Sequence, residues 1–191
     1  MCIRDSTYYN CDSSSQWTLG NGWMYSQDLY TYMSQGSSCH AGNGQLSTYN
    51  NNQIAIMTTP VMDMSDALSN PSRTNGLSFF YTGSTAVNDK LSIYGKNTFG
   101  AWVEVGSITG TVDAVLSDGA NWQTFSVTNK GHTSPLIPVE DALFHSNSQF
   151  KFEFTSDASG TDVGFFIDEI VFVYDQKVRP EEYQVLSLIH I

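Results

Sequence analysis

A chain of 191 residues with a formal net charge of −11 fits one domain with room for a sizeable core. Its eight Lys and Arg against nineteen Asp and Glu argue against nucleic acid and anionic membrane surfaces as partners. Only 14% of residues are charged and 13% are aromatic, a balance closer to a secreted β-protein than to a cytosolic enzyme, and no apolar run reaches the ~18 residues that span a bilayer.

The two ends read as one DNA segment translated on opposite strands. Leu186–Ile191 can be encoded by CTG TCT CTT ATA CAC ATC. The reverse complement contains ATG TGT ATA AGA GAC AG, which reads as Met1–Asp5. Such a pair resembles sequencing-adapter DNA, so residues 1–6 and 186–191 are set aside from fold reasoning. The domain is expected over residues 7–176, with 177–185 opening a linker or a further domain.

Thr7–Asp12 reads as a first strand, followed by the turn-rich Ser13–Gly22. Trp23–Tyr25 is a short strand, and Asp28–Gly44 a polar loop holding Cys39 and His40. Gln53–Thr58 alternates as a strand. Leu77–Thr82 and Lys90–Tyr94, joined by a turn over Gly83–Asp89, are expected to form an antiparallel hairpin. Strands follow at Trp102–Val105 and Trp122–Val127, with loops at Gly106–Ala120 and Lys130–Val139. Pro138–Phe144, with Pro at its start and acids in its first turn, predicts one helix of about two turns.

The most informative stretch is Phe150–Asp175. Phe150, Phe152 and Phe154 fall on one face of a strand, with Lys151, Glu153 and Thr155 on the other. Gly164–Tyr174 is apolar on both faces apart from Asp168 and Glu169, which predicts a strand central to its sheet. About nine short strands between turn signals argue for an all-β, two-sheet antiparallel sandwich with one short helix.

Several residues are candidates for chemistry. With Cys2 in the flank, Cys11 and Cys39 remain. A disulfide between them suits an oxidising compartment, and two separate buried thiols are the alternative. Asp168 and Glu169, with Asp12, are candidate Ca²⁺ ligands, because a hard cation takes several carboxylate and carbonyl oxygens. The alternative is that Asp168 accepts loop N–H bonds while Glu169 is solvated. Trp17, Trp23 and Tyr25, with Tyr30 and Tyr32, make a candidate glycan platform, the alternative being core packing of both Trp. Catalysis finds little support, and an independent hydrolase is the third reading. Neither Glu153 nor Glu104 has an acidic neighbour two positions away to make a glycosidase pair, and no Gly-x-Ser-x-Gly occurs. His40, His132 and His145 read as polar loop or helix-end residues.

The order of these features resembles the MAM domain and related jelly-roll modules, concanavalin A-like or galactose-binding-like, of secreted prokaryotic proteins. The residues that carry it are Trp17 with Gly22-Trp23, Cys39-His40-Ala41-Gly42, Thr59-Pro60-Val61-Met62-Asp63-Met64, and Leu77–Tyr81 with Asp89–Ile93. Trp122 and the closing Gly164-Phe165-Phe166-Ile167-Asp168-Glu169-Ile170 complete it. Glu169 stands where the family more often has Asp, and the four-cysteine pattern of the animal domains is missing. The resemblance implies a jelly roll and a non-catalytic, extracellular or cell-surface module. That module would bind a glycan or protein ligand beside a hydrolase, a peptidase or adhesive repeats.

Overall fold

A computed structural model of the chain describes residues 4–9, 11, 17–26, 37–43, 47–65, 76–110, 123–128 and 143–175. Eleven strands occur among them. They are β1 (Arg4–Tyr9), β2 (Thr18–Leu19), β3 (Trp23–Ser26), β4 (Ser38–Ala41), β5 (Ile54–Thr58) and β6 (Gly76–Ser84). Then come β7 (Lys90–Lys96), β8 (Trp102–Ile108), β9 (Gln123–Thr128), β10 (Phe150–Thr155) and β11 (Gly164–Asp175).

The strands build two antiparallel sheets, a jelly-roll sandwich. One has the order β3-β4-β11-β6-β9, with β1 also paired to β11, and the other β2-β5-β10-β7-β8. Each sheet is centred on one strand of the Phe150–Asp175 stretch: β10 lies between β5 and β7, and β11 between β4 or β1 and β6. Alternation decides what each sheet buries. In β10 the three phenylalanines point inward and are fully buried, while Lys151, Glu153 and Thr155 are half-buried on the outside. They meet Phe165, Ile167, Ile170 and Phe172 of β11 in a single core. Phe152 packs edge-on against Phe79 at 5.3 Å, and Phe150 lies 4.5 Å from Phe172. Burying one such ring stabilises the fold by about 1.5–3 kcal/mol.

Two glycines let three strands of the larger sheet meet. Gly83 and Gly164 have φ of +119° and +85°. A Cβ on Gly83 would lie 2.1 Å from the Gly164 carbonyl oxygen, and one on Gly164 would lie 2.0 Å from that of Ala41. Any side chain there would push β6 or β4 away from β11.

Several expectations are corrected. β6 and β7 do not pair as a hairpin. The turn after Ser84 carries the chain from the six-stranded to the five-stranded sheet, and β7 pairs with β8 and β10 instead. The two strands are both apolar on one face, and an inward face fits either sheet, so their adjacency in sequence did not decide their pairing. Cys39 and His40 lie not in a loop but in β4, whose four residues are all buried. Ser13–Gly22 holds β2, and β8 runs on through Gly106 to Ile108. The helix expected at Pro138–Phe144 lies almost wholly outside the described residues. Of Pro138–Phe144 only Leu143 and Phe144 are described, both buried. The strand expected at Thr7–Asp12 begins earlier, at Arg4, inside the segment assigned to the flank. Main-chain pairing with β11 is open to any extended peptide.

Candidate functional site

The outer face of the five-stranded sheet carries the chemistry. Pairing register places its side chains in rows across the strands. One row runs Thr58, Lys151, Tyr94, Glu104, and the next Ile56, Glu153, Ser92, Ser107. Thr155 lies between Ile54 and Lys90 in a third, while Lys96 opposite Trp102 closes the face at the other end. A register shift between Ile93 and Tyr94 keeps Tyr94 and Glu104 side by side despite the extra residue in β8. The middle row is low: Ser92 is buried, and its hydroxyl has no hydrogen-bond partner among the described residues.

At the Lys96 end, aromatic rings and ammonium groups interleave. Lys151 Nζ lies 4.1 Å from the Tyr94 ring centroid and 5.4 Å from that of Trp102, and Lys96 Nζ lies 5.5 Å from the Trp102 centroid. Each is a cation–π contact. Glu153 holds Lys151 at 2.6 Å. Lys90 and Glu104 stand farther apart at 3.8 Å, each 41% exposed, so their pair contributes little. Beyond this cluster the β7–β8 hairpin turns over Asn97–Ala101. Asn97 Oδ1 accepts from the N–H groups of Phe99 and Ala101 at 3.0 and 2.9 Å, an Asx-type turn. It presents Phe99 to solvent at 94% exposure.

The loops at the opposite end are locked. The buried Tyr49 hydroxyl donates to Asp89 Oδ2 at 2.6 Å and accepts from the Ala86 N–H at 2.7 Å. Asp89 Oδ1 accepts from the Asp157 N–H at 2.7 Å. Burial, then the bond to Asp89, pushes the Tyr49 phenol far above its ordinary pKa. Asp157 is shifted down, chiefly because it accepts the Ser159 N–H. This network ties the crossover from β6 to β7 to the β10–β11 loop.

The candidate residues from the sequence lie elsewhere. Trp17 and Trp23 are each 5% exposed, and Trp17 packs edge-on against Phe152. Trp23 faces inward opposite Ala41. Tyr25 is half-buried against the core, and burial raises its phenol pKa. The platform of Trp17, Trp23 and Tyr25 is therefore corrected: both Trp occupy core positions. Tyr30 and Tyr32 lie outside the described residues. Cys11 and Cys39 are bonded through their sulfurs, with Cα atoms 5.3 Å apart.

Asp168 is buried, and its Oδ1 accepts the Glu169 N–H at 2.8 Å. Glu169 has φ of +53° at a bulge where β11 slips against β6. Asp12 lies outside the described residues. Among those described, no three His, Cys, Asp or Glu side chains group to hold a metal ion. Asp168 and Glu169 alone fall short of the six to eight oxygens that Ca²⁺ takes. His40, expected at the surface, is fully buried. It donates from Nε2 to the Val163 carbonyl at 2.7 Å and stacks on Phe166 at 4.0 Å.

Sequence reasoning passed over Tyr94 and Trp102. The signal for Tyr94 was present: Leu91 and Ile93 inward put Lys90, Ser92, Tyr94 and Lys96 outward. What was missing was the pairing of β7 with β8 and β10, which brings Trp102 and Lys151 beside it.

No family model matches the chain, and no curated protein matches it. Solved structures do. An exo-β-agarase is similar at a TM-score of 0.53 and 12% identity, over 90% of this chain and 24% of the agarase. What the likeness shows is the fold. The enzymatically active domain of tailspike protein 4 from bacteriophage CBA120 is similar at 0.46 and 18% identity, over 85% of this chain and 20% of its own. The family 11 carbohydrate-binding module of the cellulase Lic26A-Cel5E of Clostridium thermocellum is similar at 0.47 and 14% identity, over 92% of this chain and 98% of the module. The chain thus spans about a fifth of the tailspike chain and a quarter of the agarase.

Proposed function

We propose that this chain is a non-catalytic carbohydrate-binding module of a secreted protein, and that the outer face of the five-stranded sheet is its ligand face. The observation that carries the reading is Trp102, half-buried beside the lysine-covered Tyr94 at one end of a sheet face that also bears Thr, Ser, Glu, Lys and the exposed Ile54 and Ile56. Aromatic faces stack on the C–H faces of sugar rings, and flanking polar groups take the hydroxyls. The exo-β-agarase that shares the fold is named for its action on agar, which accords with this ligand class. The Cys11–Cys39 bridge fits an oxidising, extracellular setting. The resemblance to MAM-like modules implies the same non-catalytic role with a protein or glycan on a cell surface as ligand.

The test is a titration of soluble and insoluble polysaccharides followed by calorimetry or affinity electrophoresis. Binding that Trp102→Ala weakens by about tenfold or more, with folding intact, supports the reading. Binding unchanged in both Trp102→Ala and Tyr94→Ala overturns the choice of face, and binding to no glycan overturns the function. Calcium at Asp12, Asp168 and Glu169 is a separate proposal. A melting temperature raised by millimolar Ca²⁺ over excess EDTA supports it, and an unchanged one removes it.

A further inference from the structure

We infer that the ligand of this face is a glycan bearing an anionic substituent, a carboxylate or a sulfate ester, taken by Lys96 and Lys151 beside a sugar ring at Trp102. This rests on the glycan-binding reading above.

Three observations carry it. The first is placement. In a chain with eight cationic residues and a net charge of −11, every lysine among the described residues stands on this one sheet face: Lys90, Lys96 and Lys151. Two glutamates, Glu104 and Glu153, oppose them there. The second is Lys96, whose ammonium has no carboxylate within ion-pair distance among the described residues. Its polar contact is the Gln149 Oε1 at 3.5 Å, and it lies beside Trp102. An ammonium so placed has donors to spare. The third is Lys151. Its ammonium lies 4.1 Å from the Tyr94 centroid, closer than either lysine lies to that of Trp102 at 5.4 and 5.5 Å, so of the two rings it is the Tyr94 face that the lysine takes up. Glu153 fixes it there, the two side chains being 13% and 20% exposed. A ligand that meets this surface therefore gains more by bringing acceptor oxygens than by bringing another C–H face, and a charged acceptor gains most. The acidity of the rest of the chain confines such recognition to short range. It acts at the sugar unit that touches the two lysines, within about a Debye length of them.

The full chain is titrated with a polyuronate and its carboxyl-reduced form, and with a sulfated galactan and its desulfated form. The expected result is that one charged polymer binds at least about tenfold tighter than its neutral counterpart. The pair that shows the difference assigns the anion. Lys96→Gln should weaken that binding severalfold, Lys96→Arg should retain it, and Glu153→Gln, which frees Lys151, should tighten it. A variant that merely disturbed the fold would not tighten binding. Equal affinity for charged and neutral forms overturns the inference and leaves the module reading standing. Failure of all four polymers to bind overturns the inference, and the module reading falls with it only where the wider polysaccharide panel also goes unbound.

Discussion

The outer faces of the two sheets obey the same alternation and meet different surroundings. On the six-stranded sheet, the outward row at His40, Phe166 and Thr82 is fully buried, and Asp168 beyond it is 1% exposed. On the five-stranded sheet, the outward row at Lys151, Tyr94 and Glu104 runs from half-buried to exposed. The centre of the first row behaves as a second core layer, with Met24 at its end and the neighbouring Phe80 half-buried. Its histidine is spent on a main-chain carbonyl and the Phe166 ring, and a Cβ on Gly42 would come within 2.4 Å of the imidazole itself. The second face keeps its aromatic and charged groups within reach of solvent.

The sharpest way to break this contrast is to cut a ring from each face. Phe166→Ala should cost about 3–5 kcal/mol in urea unfolding, as a buried ring does. Trp102→Ala should cost under about 1 kcal/mol, the value of its cation–π contacts, and lose glycan binding. A Trp102 variant as unstable as the Phe166 variant would make the second face structural and end the comparison. Reducing or deleting the Cys11–Cys39 bridge, whose cysteines are 28 residues apart, should cost about 3.5 kcal/mol by loop-closure entropy. Because the bridge anchors β4 of the covered sheet, glycan affinity of the still-folded fraction should not change.

Tyr49→Phe should cost about 1–3 kcal/mol, because it takes from buried Asp89 one of its two described donors. The same residue predicts a pH effect. Folding raises the Tyr49 pKa above 10.0, so its contribution is complete below pH 10 and is lost as pH rises toward the folded value. Tyr25 and Tyr81, also raised by burial, act in the same direction. Chemical denaturation should therefore show stability falling above about pH 10, less steeply in Tyr49→Phe. A stability flat to pH 11 would mean that the phenols are solvated. The smallest effect is that of Asp157. Its depressed pKa gives a contribution present above the ordinary carboxylate value of 3.8 and lost as pH falls, visible as a slight acid-side change that Asp157→Asn removes.

Much of this was legible from residues alone. The period of two in FKFEFT told which side of β10 is wet, and the doubly apolar run of β11 told that it is central and covered on both faces. These are local properties, because each residue's face follows from its neighbours along the chain. The site was less legible for the same reason. Trp17 and Trp23 attracted attention by being close in sequence, yet both face inward. Tyr94, Trp102 and Lys151 come from three strands, and nothing along the chain says that these three are neighbours.

What the sequence by itself determined is therefore the class of fold and the inward or outward sense of most strands, since side-chain direction is set within a few residues. Which sheet each strand joins, and so which outward residues meet, was decided only in the tertiary structure. Strand partners are selected by packing between segments far apart in the chain, as when β6 and β7, joined by one short turn, go to opposite sheets.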